Sequence, residues 1–448
     1  MVFSFSLPAG CPIRGNIGGN IGDRPQVAQG CGREAGTIKY PGISVQENER
    51  GPPVKNDTLW SLDPNVTYLN HGSFGAGLVP VLEFQERLRR EAEQNPMEWF
   101  LRRLPELQAA ARQALGTFLG APAEDLAFVT NATEGVNTVL RSLSFAPGDE
   151  IVVTDHEYGA CRAAAEFAAR RAGARIVVAK IPFPLKLKEE IAAAILACLG
   201  ERTRLVLLDH VTSQTALVFP VGKLVGEIQA RGVDVLVDGA HAPGMVPLDL
   251  RALGPAYYTG NLHKWMCLPK GAAFLYVRPD RQDRIQPLAI SHGLNAHVTD
   301  ASARFRELFD WMGTRDFSPW LCFEKGREAL SRLSPGGLEG LRVRNHELAV
   351  RGREVLLSTL GIPAPCPEEL LGSMASLPLP DARDKQANWR DIDALQRYLR
   401  QEHRIEVPVM AWPSHPKRLL RISAQAYNSL EQYERLAEAV SRGLHKNL

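Results

Sequence analysis

Apolar runs at 150–154, 174–181, 204–210 and 233–237 alternate with stretches of helical apolar spacing at 161–172, 191–199 and 221–231. This repeated step limits the fold most strongly. Strands joined in sequence by helices run parallel, and a parallel sheet is buried on both faces. The expectation is an α/β fold with a mostly parallel sheet in a large domain. Ligands of such open sheets collect at the carboxyl ends of the strands. The residues that follow each strand are therefore the candidates for chemistry.

Two of these residues stand out. Asp238 ends the run VDVLVD, where Gly239 lets the chain turn, and Lys264 lies in YYTGNLHKWMCLPKGAAF between two further apolar runs. Alone, the aspartate reads equally well as a cap and the lysine as a solvated turn residue. Together on neighbouring strand ends they suit pyridoxal 5'-phosphate (PLP), whose aldehyde needs an amine and whose ring nitrogen needs an acid partner. Apolar surroundings lower the pKa of an amine and make it available as a nucleophile and proton carrier. Upstream, a strand at 128–130 runs into Asn131, Ala132, Thr133 and Glu134 and then a helix. That arrangement presents free N–H groups to an anion; Thr133 is the main candidate phosphate ligand, with simple capping by Asn131 or Thr133 as the alternative.

The blocks TGNLHKWMCLPKG and VDGAHAPG, with YLNHGSFG at 68–75, NATEGVN at 131–137, GTRDFSPW at 313–320 and LLRISAQAYN at 419–428, resemble the class V aminotransferases of the fold-type I PLP enzymes. Within them the likeness is to the branch typified by isopenicillin N epimerase, and it covers the chain from about Leu59 onward. The resemblance implies the fold-type I architecture, a mostly parallel sheet of the seven-stranded type in a large domain plus a small α+β domain, and a Lys264 aldimine with Asp238 on the ring nitrogen. It places Tyr158 against the ring, with His156 as the neighbouring alternative, and Ser213 or Thr212 and His241 on ring substituents. Ala132, Asn131, Asn261 and His263 complete the expected cofactor contacts. Thr314 is expected to reach the phosphate of a partner subunit, which implies a symmetric homodimer with shared sites. Arg421 is expected to clamp the carboxylate of an amino-acid substrate. Asn70 either joins that contact or merely satisfies its turn.

The activity implied is reaction at the α-carbon through a quinonoid carbanion, with epimerisation as the leading expectation. It calls for a second proton donor, with Tyr158, His156 and His241 as candidates, or for a mobile first one. A cysteine or cysteine-sulfoxide C–S lyase and an aminotransferase are the alternatives, and a non-catalytic PLP-binding regulator is a remote one. A desulfurase would need a reactive cysteine within 372–421, which contains none; Cys366, the nearest, is read as incidental.

Composition closes off other classes. A net charge of +2 over 448 residues gives no reason to expect nucleic acid or an anionic membrane as partner. Seven cysteines without metal-type spacing read as reduced thiols of a cytoplasmic protein, with no metal site. No apolar run is long enough to span a bilayer, and the opening run is too short for a signal peptide. Residues 1–55, rich in Gly, Pro, Asn and Arg, are expected to be a flexible tail. Residues 56–84 are assigned to a small domain, 85–320 to the large PLP-binding domain, and 321–448 to a linker helix, expected over 324–356, and the rest of an α+β small domain. Two helices interrupted at Asn95-Pro96 are expected across 81–118.

Overall fold

The computed structural model describes residues 59–384 and 391–448. The tail expected at 1–55 lies outside them.

After a two-residue strand, β1 (Thr67–Tyr68), the next seven strands form one sheet: β2 (Leu126–Val129), β3 (Glu150–Thr154), β4 (Arg175–Ala179), β5 (Thr203–Asp209), β6 (Asp234–Asp238), β7 (Tyr257–Asn261) and β8 (Ala273–Val277). Their order is β2-β8-β7-β6-β5-β3-β4. Strands β3 to β7 run parallel to one another, and β8 alone returns antiparallel between β7 and β2. The sheet is therefore mixed, with a parallel centre. Helices such as Gly159–Ala172 and Val221–Gln229 supply the crossovers, and residues such as Val136, Ile151, Leu207 and Leu236 bury between the layers.

Register decides where chemistry can gather. Asp209 pairs with Asp238, and Asp238 with Thr259, so β5 and β6 finish level while β7 runs on past them to Asn261. The chain then leaves β7 at Asn261 and re-enters β8 at Ala273, opposite its exit point. Lys264 lies in that connection, directly over the level strand ends.

The smaller α+β part contains β9 (Met374–Leu379), β10 (Ile405–Glu406), β11 (Val409–Ala411) and β12 (Arg418–Ser423). β12 lies in the middle of the antiparallel sheet β11-β12-β9, and β10 pairs with β1 in parallel. Arg421 thus stands on a central strand and is 2 % exposed, not on an edge.

Three local expectations change. The linker helix over 324–356 is two helices, Phe323–Ser331 and Gly337–Leu360. Pro335 and the left-handed Gly336 and Gly337 (φ 81° and 67°) break it between them. The segment after Asn70 is a short helix, His71–Phe74, and not a plain turn. The interruption at Asn95-Pro96 is longer than a kink: Val79–Gln94 and Leu104–Leu119 are joined by Pro96–Glu98 and a π-helical turn, Trp99–Arg103.

Candidate active site

The Lys264 amine is 3.1 Å from His241 Nε2. Burial first, and then the nearby Arg421 guanidinium, pull its pKa down to about 8. On the far side of the imidazole, Trp265 Nε1–H donates to His241 Nδ1 at 3.4 Å. His241 is itself buried, which pushes its pKa far below the ordinary value. Both groups are thereby biased toward their neutral forms.

Asp238 is buried at the end of β6, and burial raises its pKa. Its Oδ1 accepts from the Ala240 N–H at 2.9 Å, and its Oδ2 from the Cys161 thiol at 3.1 Å. Among the described residues no cation pairs with it within salt-bridge distance. Asp209 and Glu157 lie close by, and burial together with the neighbouring carboxylates raises the pKa of both well above normal. Glu157, Cys161 and Asp238 bring ligand atoms within 4.8 Å of one another. Burial pushes the pKa of all three up, so each gives up its proton less readily than an exposed group would.

Tyr158 stands at the N-cap of Gly159–Ala172, 43 % exposed and one turn before Cys161. His156 is turned elsewhere. Its Nδ1 faces Thr215 Oγ1 at 2.7 Å, its Nε2 faces the Ile181 carbonyl at 3.2 Å, and its ring packs on Trp412. Both nitrogens are committed to the protein, so as a ring-facing or proton-donating group it is set aside.

At the start of Ala132–Ser142, Asn131 Oδ1 accepts from Glu134 N–H at 2.8 Å, and its amide donates to Thr130 Oγ1. Asn131 is the helix cap, with both polar atoms in use, and is corrected from cofactor ligand to cap. Asn261 Oδ1 takes the Ala132 N–H at 2.8 Å. The Thr133 N–H between them has no hydrogen-bond partner among the described residues. Thr212 is buried in bonds to Thr215 and Leu217, whereas Ser213 offers its carbonyl to Arg421 Nη1 at 2.6 Å. His263 Nδ1 faces the Ala272 carbonyl at 3.1 Å. Thr314 is exposed, and beside it Arg315 packs over Trp320.

Arg421 crosses from β12 into this space. Its Nη2 donates to Ser73 Oγ at 2.8 Å and to Asn70 Oδ1 at 3.4 Å, and its Nε is buried without a partner among the described residues. Asn70 therefore braces the arginine. Ser73, His71, Glu157, Asp209 and Cys161 are site neighbours that the sequence reading did not single out. Only Asp209 carried a legible signal, since it ends β5 as Asp238 ends β6.

PLP fits these residues on two observations. A buried carboxyl without a cation is the partner that a protonated ring nitrogen needs, and an amine biased toward its neutral form is the partner that an aldehyde needs. Lys264, Asp238, Tyr158 and Thr133 are groups that could hold it.

Comparison with known proteins agrees with this arrangement. The family described as aminotransferase class-V matches residues 97–436. Isopenicillin N epimerase of Amycolatopsis lactamdurans is 37 % identical over 393 residues, covering 85 % of this chain and 96 % of that protein. A putative L-cysteine desulfhydrase of Oryza sativa subsp. japonica is 31 % identical over 411 residues, covering 85 % and 83 %. The crystal structure of a cysteine desulfurase from Escherichia coli superposes with a TM-score of 0.69 at 18 % identity, covering 89 % of this chain and all of that one, a likeness of fold.

Proposed function

The chain belongs to the class V aminotransferase family and is a PLP-dependent enzyme of fold type I, and from that premise we propose that it is a C–S lyase acting on a cysteine-type amino acid. The observation that carries this reading is the state of the proton-transfer groups. Elimination needs one group to take the α-proton, whereas epimerisation also needs the opposite face reprotonated, by a second group or by a mobile first one. Lys264 is such a group. His241 has Lys264 at one ring nitrogen and the Trp265 N–H at the other, and His156 is committed to Thr215 and Ile181. Two of the three histidine and tyrosine candidates for a second donor are thereby removed.

When bound, PLP supplies an electron sink for negative charge at the substrate α-carbon. Asp238 would hold the proton of the ring nitrogen, and Lys264 would anchor the cofactor. Arg421 would take the substrate carboxylate through its open Nε–H, braced by Ser73 and Asn70. The Lys264 amine, neutral above about pH 8, would accept the α-proton. The β-sulfur would then leave with the electron pair of the C–S bond and gain a proton as thiol. Uptake of one water would give pyruvate and ammonia.

The second reading is epimerisation, favoured by the 37 % identical isopenicillin N epimerase and by the half-exposed Tyr158 phenol as second proton carrier. Incubation with L-cysteine in deuterated water separates the two. Pyruvate, ammonia and sulfide support the lyase; α-deuteration with appearance of the D-enantiomer and no pyruvate sinks it. The likeness of the 313–320 block to the family supports a homodimer in which the exposed Thr314 completes a partner's site. The described cysteines are all free thiols, which supports a cytoplasmic setting. No helix among the described residues is long and apolar enough to cross a membrane.

A further inference from the structure

His71 is fully buried on the short helix His71–Phe74, with its ring centroid 4.9 Å from that of Trp265 and 6.3 Å from that of Trp60. Its Nε2 is 3.1 Å from the Lys264 carbonyl oxygen, and its Nδ1 is 2.9 Å from the Tyr427 hydroxyl. A carbonyl only accepts, so Nε2 carries the hydrogen and donates to Lys264. In the neutral ring Nδ1 then accepts from the Tyr427 O–H, and burial, which lowers the His71 pKa to about 3, keeps the ring neutral. The imidazole can make this pair of bonds in only one tautomer.

The turn it grips is under local constraint. The Lys264 carbonyl also accepts the Cys267 N–H at 3.0 Å, with Cys267 in the left-handed region at φ 56°. Non-glycine residues seldom hold that conformation unless their surroundings over-determine it. The chain after His71 runs directly against the lysine: a Cβ added at Gly75 would stand 2.9 Å from Lys264 Cα, and Lys270 Nζ donates to the Gly75 carbonyl at 3.2 Å. The same stretch braces Arg421 through Asn70 and Ser73. One short segment therefore touches both the amine-bearing turn and the carboxylate clamp.

We propose that His71 is a positioning residue whose Nε2–H bond to the Lys264 carbonyl fixes the turn from which the Lys264 amine works. An amine that must leave its cofactor bond, take a proton and return needs its main chain held still, because a small displacement is felt directly in the transfer. The inference rests on Lys264 being the cofactor anchor.

Two amides separate the bonds of His71. In His71→Gln the amide nitrogen falls near the place of Nε2 and keeps the bond to Lys264. In His71→Asn it falls near Nδ1, so the polar contact with Tyr427 is kept and the one to Lys264 is lost. Wild-type holoenzyme is first reduced with borohydride and the labelled peptide mapped; a label on another lysine overturns the anchor and the function built on it, independently of His71. With the label on Lys264, the pH midpoint of the visible band and the α-deuterium uptake of L-cysteine are compared across the variants. In His71→Asn the midpoint shifts by about half a pH unit or more. Its kcat falls on the order of 10-fold, with KM changed by less than about threefold. His71→Gln recovers most of both. Asn and Gln variants that behave alike, whether both intact or both impaired, overturn the proposal. Should His71→Asn fail to fold, Tyr427→Phe takes its place: it keeps the Lys264 bond, so an unshifted midpoint supports the proposal and a shift of half a unit overturns it.

Discussion

Lys264 Nζ and His241 Nε2 lie 3.1 Å apart, and the tautomer of the histidine fixes the direction of that bond. Because Trp265 Nε1–H donates to Nδ1, Nε2 is the protonated nitrogen of the neutral ring. Nε2–H then donates to the lysine, which accepts only as a free amine. The geometry and the lowered Lys264 pKa point the same way.

The first prediction follows from that pKa. Carbonyl or methylating reagents should label Lys264 in the apo-protein with a midpoint near pH 8, well below the ordinary lysine value of 10.5. Below pH 8 the amine is charged and unreactive; above it the amine is free. Between the two values the unfolded chain holds a proton that the folded chain has released, so the Lys264 contribution to apo-protein stability rises with pH across that window. Peptide mass spectrometry against pH measures the midpoint, and a value near 10.5 would contradict the burial account.

Asp238→Asn keeps the shape of the buried carboxyl but removes its charge. Turnover should fall on the order of 10²–10³, as for loss of one preorganised electrostatic contact. Stopped-flow spectra of the variant with substrate check this, and wild-type turnover would remove Asp238 from the reaction.

Arg421→Lys should raise KM more than it lowers kcat. Losing a charge-assisted hydrogen bond costs about 1.5–3 kcal/mol, or roughly 10–100-fold in apparent affinity. Ser73→Ala, which removes only an acceptor 2.8 Å from Nη2, should have a smaller effect in the same direction. Steady-state kinetics over substrate concentration distinguish the two.

Gly75→Ala should destabilise the protein by about 1–3 kcal/mol, since φ at Gly75 is 68° and the added carbon meets the Lys264 main chain. Thermal melting reads the loss. A melting point equal to the wild type would mean that this approach is looser than it stands here.

Thiol alkylation of the native enzyme should leave turnover intact. Cys161, Cys267, Cys322 and Cys366 are buried, and burial raises the pKa of each above normal, so none is a ready thiolate. Inactivation by iodoacetamide with loss of a cysteine in one of these peptides would reopen a sulfur-transfer role.

Strand–helix alternation, the mostly parallel sheet and the two residues that end in its mouth were legible in the sequence, because short apolar runs and turn glycines are local signals. Asp238 reads as a strand end from five residues of context, and the register that levels it with Asp209 and Thr259 follows from parallel pairing. The partners of those residues were not legible. Ser73 and Arg421 are 348 positions apart, and His71 and Lys264 are 193 apart, yet each pair makes a hydrogen bond. No local pattern encodes contacts made when distant segments close over one sheet edge. The same closure decided against His156: its neighbours Thr215, Ile181 and Trp412 come from three separate segments and engage both nitrogens. The local sequence thus set which chemical groups the chain carries to the strand ends. Tertiary packing decided which remain free to react, because burial and hydrogen bonding across distant segments determine which donors and acceptors are already taken.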